Sequence, residues 1–507
     1  MPGSSTQSKA GTSKGSARSK SGKSIKSAET QVRVGEEAEI AREARSEQAY
    51  KDMGRAVRKA IPRTALGAWE APADRPEPIA TLQAQNRDRV SELVPLRFER
   101  MSASPFAFYR GAAAVMAQDL ATRPRTTLRV QLAGDAHLAN FGGFATPERS
   151  MIFDLNDFDE TLPGPFEWDV QRLVASFTVA GRHRGFSAAA CANLVELVAG
   201  SYCKAMTDFA HRSRLDVWYA RLEADDILAQ WGSKVDPAHV EAFQKRLQKA
   251  RGRTSERAVS RYTTVTEDGL LQIISQPPVL VPLRELAGET PEAARDLAAQ
   301  VFQNYRTTLA DDRALLLGGY RVVDVARKVV GVGSVGTRCW IVLLVATDDE
   351  GDDLVLQVKE AGPSVLESVA ARSDYANHGQ RVVEGQRLMQ AASDPLLGWT
   401  TVGGLDGVTR DYYVRQMWDW KTSADLETMD EVRMDVYAHL CGWTLARAHA
   451  RTGDRKVLAG YLGTGRTFTR AMQDFADSYA DQNQRDFDAF KAAIADGSVP
   501  VASEPAT

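Results

Sequence analysis

Apolar positions recur at helical spacing through the first and last parts of this chain, and at strand spacing through a block between them. Phe106, Ala107, Tyr109, Ala113, Val115, Met116 and Leu120 form a stripe near 3.6 residues per repeat, which predicts a mainly helical segment from Leu93 to Ala121. A charged, alanine-rich helix is expected from Glu36 to about Met53, and Pro72, Pro76 and Pro78 mark a break after it. Residues 168–231, 291–316 and everything from about 428 read as helical. Short β-type runs lie at Leu128–Leu132 and at Phe141–Ala145 with Met151–Phe153. The latter two form an expected hairpin around Thr146-Pro147-Glu148-Arg149. A second hairpin is expected from Tyr262–Val265 and Leu270–Ile274 around Glu267-Asp268-Gly269. The β-rich block has strands at Arg321–Val330, Cys339–Ala346 and Leu354–Lys359, then a helix near 378–392, then strands near Trp399–Val402 and Tyr412–Met417.

These runs divide the 507 residues into six parts: a basic Ser/Gly/Lys-rich tail over 1–35, a helical segment over 36–125, a mixed region over 126–315, a β-rich region over 316–420, helices over 421–495, and a short tail over 496–507. The class is therefore α+β. The first tail has Lys9, Lys14, Arg18, Lys20, Lys23 and Lys26 before its first acid, Glu29. With so little apolar surface it cannot offset its ordering entropy, so disorder is expected, with at most a weak contact to an anionic polymer.

Composition narrows the class of partner. Hydrophobic residues make up 43% and charged residues 25%, with a formal net charge of −3. That balance gives no footing for nucleic acid or a membrane as the principal partner. The longest apolar run, Trp340–Ala346, falls far short of the roughly 18–20 residues that span a bilayer. Cys191, Cys203, Cys339 and Cys441 show no C-x-x-C pairing and read as buried thiols. With no apolar signal core at the N-terminus, a cytoplasmic protein is expected.

Two groups of residues carry chemistry. The first is a glycine-rich turn, Gly331-Val332-Gly333-Ser334-Val335-Gly336, set between two strands. A dinucleotide fingerprint would open a helix at this point. A strand–turn–strand glycine loop instead suits backbone groups that cover nucleotide phosphates. Lys359 ends the next strand and can neutralise phosphates as a point charge, given an acid to hold it; Glu384 is the first candidate and Glu367 the second. The second group lies upstream, in Gly134-Asp135-Ala136-His137-Leu138-Ala139-Asn140 and Ile152-Phe153-Asp154-Leu155-Asn156-Asp157-Phe158-Asp159-Glu160. Asp135 supplies a carboxylate to orient or deprotonate a hydroxyl, with His137 beside it. Asn140 and Asp154 offer oxygens to a metal, and Asp157 and Asp159 are further acids that could join them or stay on the surface. Arg97, Arg100 and Arg110 are candidate phosphate contacts as well as ordinary ion-pair residues.

Gly134-Asp135-Ala136-His137-(x)2-Asn140 with Ile152-Phe153-Asp154 resembles the catalytic and metal motifs of aminoglycoside-phosphotransferase and choline-kinase-like enzymes, although Ala133 replaces their first histidine. Trp168-Asp169-Val170-Gln171-Arg172-Leu173 is similar to a helix of those enzymes, and the resemblance implies that Asp169 anchors the catalytic loop from below. From about residue 80 to 495 the chain also resembles a bacterial group called domain of unknown function 2252, including Pro105-Phe106-Ala107-Phe108-Tyr109-Arg110-Gly111 and Arg381-Val382-Val383-Glu384-Gly385-Gln386-Arg387.

The kinase-like pieces stand in rotated order. The catalytic loop precedes the glycine turn, and Leu440–Ala450 looks like the helix that normally runs into that loop. The expectation is a two-lobed protein-kinase-like fold, circularly permuted, with extra helical segments and a disordered N-terminal tail. In it the region 126–315 would be C-lobe-like, 316–420 N-lobe-like with a hinge near Met417, and 421–495 would complete the C-lobe. The implied activity is transfer of phosphate from ATP, with Mg2+, to an unidentified hydroxyl. AMP transfer and a non-catalytic nucleotide-binding module stay open beside it. A two-metal phosphatase is disfavoured because there are only seven histidines and no G-N-H motif.

Overall fold

Strand β11 (Leu354–Ala361) shows how the sheet is built: Leu354, Leu356 and Val358 face one way, while Val355, Gln357 and Lys359 face the other. The first set packs with Phe302, Tyr305, Leu317, Tyr412 and Val414, so that face is sealed by helix. On the second face, Val355 packs with Ala326, Ile341, Leu343, Ala258 and Tyr262, whereas Lys359 at the strand's far end meets acids instead.

The computed structural model describes residues 46–502, apart from 287–290, 332, 349–350, 405–406 and 419 and the side chains of 291–295. The tail over 1–35 and the start of the expected helix at 36–45 lie outside the described residues; the helix that follows is Glu47–Ala60. The described residues from Tyr50 onward pack as one unit of mixed α+β class.

In chain order, α1 is Val94–Ser102 and α2 is Pro105–Gly111; Ser104 caps α2 by accepting the Ala107 amide, with proline at its first position. Then come β1 (Arg129–Leu132), β2 (Phe141–Ala145), β3 (Met151–Leu155) and β4 (Leu162–Pro165). Helices α3 (Phe166–His183) and α4 (Ala188–Ala210) follow, with β5 (Leu222–Glu223) after them. Next are α5 (Ser255–Tyr262), β6 (Thr263–Val265), β7 (Leu271–Ile273), β8 (Leu280–Pro282) and α6 (Pro291–Arg306). The β-rich block holds β9 (Tyr320–Lys328), β10 (Cys339–Ala346), β11, α7 (His378–Met389), β12 (Gly398–Gly403) and β13 (Thr409–Gln416). Last come β14 (Thr422–Ser423), α8 (Glu431–Thr452) and α9 (Arg466–Ala495).

Among the described residues, β12-β13-β11-β10-β9-β8 form one antiparallel sheet, with every neighbour paired in that order. The expected hairpin of β2 and β3 pairs Phe141 with Leu155 and Ala145 with Met151, and it lies in a second sheet between β14 and β5. β1 pairs with β4, which brings the two ends of the 133–161 segment together. The second expected hairpin, β6 with β7, is also present.

The core lies around α3. Phe166 to Gly181 is buried without a break, so this helix has no solvent face over that length. Val170, Leu173, Val174 and Phe177 pack with Leu194, Val198 and Tyr202 of α4, Cys441 and Leu445 of α8, and Phe468, Met472 and Phe475 of α9. The end of the chain differs from expectation. Val499 is 1% exposed and packs with Phe98, Phe108 and Phe490, so a loose tail does not begin at 496. All four cysteines are buried thiols. Among the described residues no helix is long and apolar enough to cross a membrane.

Candidate functional site

Asp135 sits in the loop between β1 and β2, and α3 holds that loop from the interior. Asp169 accepts the amides of Ala133 at 2.7 Å and Gly134 at 3.0 Å. Its Oδ2 also lies 3.3 Å from His449 Nε2, and His449 Nδ1 lies 2.9 Å from the Tyr202 hydroxyl, so a buried chain of polar groups fixes the loop's base. One helical turn on, Arg172 donates through Nε at 2.8 Å to Asp135 Oδ1 and through Nη2 at 2.8 Å to the Tyr109 carbonyl. Its guanidinium stacks 3.9 Å from the Tyr109 ring centroid. Residues 169 and 172 share a face of one helix, so one element orients both the loop backbone and its carboxylate.

The loop is closed from the other side by a glycine. Gly134 has φ +81°, and a Cβ there would lie 2.1 Å from the Glu160 carbonyl oxygen, a contact only glycine avoids. Asn140 donates from Nδ2 to the Asp135 carbonyl at 2.7 Å, which turns its amide oxygen the other way, and its own carbonyl accepts the Asn156 amide at 2.9 Å. His137 is 3% exposed, its ring meets Phe106 edge-on at 6.3 Å, and its Nε2 lies 3.8 Å from Asp135 Oδ2. Burial pushes its pKa down to about 3, with Asp135 opposing, so the imidazole is neutral and forms a wall beside Asp135.

The acids after the hairpin separate into two kinds. Asp154 is 1% exposed and fully engaged: it pairs with buried Arg447 of α8 and accepts the amides of Leu155 at 2.9 Å and Ala391 at 2.8 Å. These partners tie Asp154 to α8 and to the segment after α7. Asp157 and Asp159, beyond the strand's end, face Lys359 instead. Lys359 is 3% exposed and pairs with Asp159 Oδ2, with Asp157 Oδ1 at 3.8 Å. Tyr413 donates its hydroxyl to Asp159 Oδ1 at 2.8 Å, and Arg415 donates to the Asn156 carbonyl at 3.3 Å and to Gln357 at 3.0 Å.

Charge follows from that geometry. Burial pushes the Asp157 carboxyl up and repulsion from Asp159 adds to it, although 37% of the Asp157 side chain is open to solvent. This describes a recess that water reaches. Burial would raise Asp159 too, but Lys359, Tyr413 and Arg415 outweigh it and hold Asp159 below the ordinary range. Burial works against the Lys359 charge, yet Asp157 and Asp159 hold its pKa well above the usual value. Burial raises Glu160 to about 7, against the Val365 amide and the Arg381 charge.

The glycine turn reaches this recess. Ser334 Oγ lies 3.5 Å from Asp159 Oδ2. Gly331 and Gly336 both have positive φ. Much of the turn's backbone is already engaged by the segment before α2: Arg100 donates to the Gly331 carbonyl at 2.6 Å, Arg89 to that of Val335 at 2.5 Å, and the Val90 amide to that of Gly336 at 2.8 Å. Gly333 lies against the Arg110 carbonyl, 3.2 Å from where a Cβ would stand.

Two expected partners lie elsewhere. Glu384 pairs with Arg387 at 3.0 Å, one turn along α7, and does not hold Lys359; Asp159 does. Glu367 lies 3.8 Å from Arg381. Met417 donates its amide to the Val355 carbonyl at 3.0 Å, four residues from Lys359 along β11, or roughly 13 Å. It packs in the cluster of Tyr262 and Trp418, whose rings stand 5.7 Å apart, so α5 covers the apolar part of this face. Among the described residues no three His, Cys, Asp or Glu side chains form a metal site.

Several site residues carried no assigned role at the level of sequence. Arg172 follows Asp169 at helical spacing, and Tyr413 with Arg415 follows the period of two on β13. Arg381 of α7 is 2% exposed and donates to the carbonyls of Asp159, Thr161 and Gly362, each at 2.8 Å, which ties the acidic segment to the end of β11.

The sequence profile of a protein family described as uncharacterised and conserved in bacteria (DUF2252) matches residues 89–493. No curated protein and no solved structure matches significantly.

Proposed function

The chain belongs to the DUF2252 family of proteins conserved in bacteria, and we propose that it is an ATP- and Mg2+-dependent phosphotransferase acting on a hydroxyl-bearing acceptor, with a circularly permuted kinase-like fold. One convergence supports this reading. Lys359, Asp159 and Ser334 of the glycine turn meet in a single recess beside Asp157, although Lys359 and Asp159 are 200 residues apart in the chain. A strand lysine, a glycine turn and acids at the end of a hairpin are the parts that phosphoryl transfer requires.

In this reading Asp135, held by Arg172, accepts the acceptor's hydroxyl proton while that oxygen attacks the terminal phosphorus and ADP leaves. Lys359 and Arg415 take the charge of the phosphates. Asn140 and Asp157 would hold Mg2+, which would offset the negative charge of the phosphates. Asp154 contributes by fixing β3, and His137 by shaping the wall beside Asp135.

A nucleotide-binding module without turnover is the second reading. The observation in its favour is that Asp154 and Asp159 are already engaged by Arg447 and Lys359 and that Tyr262 and Trp418 fill the apolar face near Met417. The test is transfer from γ- and α-labelled ATP by the full chain with Mg2+. Label from the γ position supports the proposal. Label from the α position alone replaces it with nucleotidyl transfer. Nucleotide binding with neither label nor hydrolysis favours the module.

A further inference from the structure

Arginine side chains in and around the recess are nearly all satisfied. Arg172 holds Asp135 and the Tyr109 carbonyl, Arg381 holds three carbonyls, and Arg447 holds Asp154 and the Met389 carbonyl at 2.5 Å. Arg110 is the exception. Its buried Nε has no partner, as is also true of Arg381 and Arg447, but unlike theirs its terminal nitrogens make no hydrogen bond or ion pair among the described residues either.

Its position is fixed from two sides. The carbonyl of Arg110 packs against Gly333 of the glycine turn. Phe106, one turn earlier on α2, lies 6.0 Å from the Arg110 guanidinium and meets the ring of His137 at 6.3 Å. Arg110 therefore stands between the glycine turn and the Asp135 loop. Burial lowers its pKa, and the fields of Asp135, Asp157 and Glu427 only partly oppose that, none of them close enough to bond. A sheltered cation with no hydrogen-bond partner is costly for a fold to keep. A guanidinium offers five donors in a planar fork that matches phosphate oxygens.

We infer that Arg110 is a phosphate-binding residue, its guanidinium receiving a phosphoryl oxyanion in the space between the glycine turn and the Asp135 loop. The inference deepens the proposed function by naming an anion site, and it rests on phosphate binding there, not on turnover. The phosphate comes either from the nucleotide's terminal group or from an acceptor that is itself phosphorylated.

Calorimetry on the full chain with Mg·ATP, with Mg·ADP, and with inorganic phosphate added to the ADP-loaded protein tests it and separates the two sources. If the terminal phosphoryl is the ligand, Arg110→Gln weakens Mg·ATP on the order of 10- to 100-fold and Mg·ADP far less, the range of charge-assisted hydrogen bonds. If the phosphate belongs to the acceptor, Arg110→Gln removes inorganic phosphate binding and leaves the ATP-to-ADP ratio alone. Arg110→Lys should fall between wild type and Arg110→Gln. Wild-type affinity of Arg110→Gln for all three probes, or a wild type that binds none, overturns the inference. A wild type that binds these anions but transfers nothing removes the phosphotransferase reading while the Arg110 site stands. Should Arg110→Gln fail to fold, phenylglyoxal modification of the wild type decides: Mg·ATP or phosphate should protect Arg110, and an unchanged modification rate overturns the assignment.

Discussion

Asp154→Asn separates an acid of the fold from an acid of the chemistry. The side chains of Asp154 and Arg447 are each 1% exposed, and the pair lies between β3 and α8. Asparagine keeps one acceptor oxygen but presents an NH2 group either to the Arg447 guanidinium and the Leu155 amide, which share Oδ1, or to the Ala391 amide on Oδ2, donor against donor. The Arg447 charge would keep the Met389 carbonyl and lose its counter-ion. Removing one partner of such a buried pair costs about 3–5 kcal/mol, against a total stability of about 5–15 kcal/mol for a typical fold. A urea titration should therefore show a large fall in midpoint for Asp154→Asn. Arg447→Met added to it should recover part of the loss, because the stranded charge is gone. Asp157→Asn should behave oppositely. It relieves repulsion with Asp159, so its midpoint should match or exceed wild type while Mg2+-dependent activity disappears. A wild-type urea midpoint for Asp154→Asn, together with lost activity, would return Asp154 to the metal and refute the assignment.

Asp135→Ala should lower turnover by roughly 10²–10³, the loss typical of a transition-state contact, with nucleotide affinity retained and a lower melting temperature because the buried Arg172 charge loses its partner; undiminished turnover would exclude Asp135 from the chemistry. Glu384→Ala should leave phosphate transfer intact and cost under about 1 kcal/mol, since it breaks only a half-exposed pair with Arg387; a kinetic loss like that of Lys359→Met would reinstate Glu384 as the lysine's partner. Burial raises Glu167 from 4.5 to about 7, opposed by hydrogen bonds from Thr126. The folded state therefore binds this proton more tightly than the unfolded state, and the contribution is complete below 4.5 and lost as pH rises through about 7. Glu167→Gln should remove part of the fall in melting temperature between about pH 5 and pH 8, the rest belonging to Glu160; an unchanged slope would refute this.

The elements were legible wherever one face is buried. The period of two on β11 and β13 and the turn chemistry around Pro147 gave the strands and the hairpin to within three residues at each end. Local pattern also located the loop of Asp135 and Asn140, the glycine turn and Lys359. It did not say which acid each cation meets. Asp154, Asp157 and Asp159 crowd one short segment, and only the end of β3 at Leu155 separates the buried one from the two that turn toward Lys359. Glu384 looked right because a helix follows the lysine strand, but its side chain reaches along its own helix. Nothing local marks Arg447 as the partner of a residue 293 positions earlier. Arg110 shows the converse: sequence named it as one possible phosphate contact among three arginines, and only the packing of Gly333 and Phe106 singles it out.

The groups under the Asp135 loop come from distant parts of the chain, and this bears on synthesis. Asp169 and Arg172 leave the ribosome soon after the loop does, but Arg447 and His449 come nearly three hundred residues later than Asp154 and Asp169. Domains fold as they emerge, so the first half of a nascent chain would hold Asp154 and Asp169 without the partners that satisfy them. A product ending before α8 would carry every residue proposed to touch phosphate and still lack the keystone that sets them. Full assembly of the recess thus waits for the last fifth of the polypeptide.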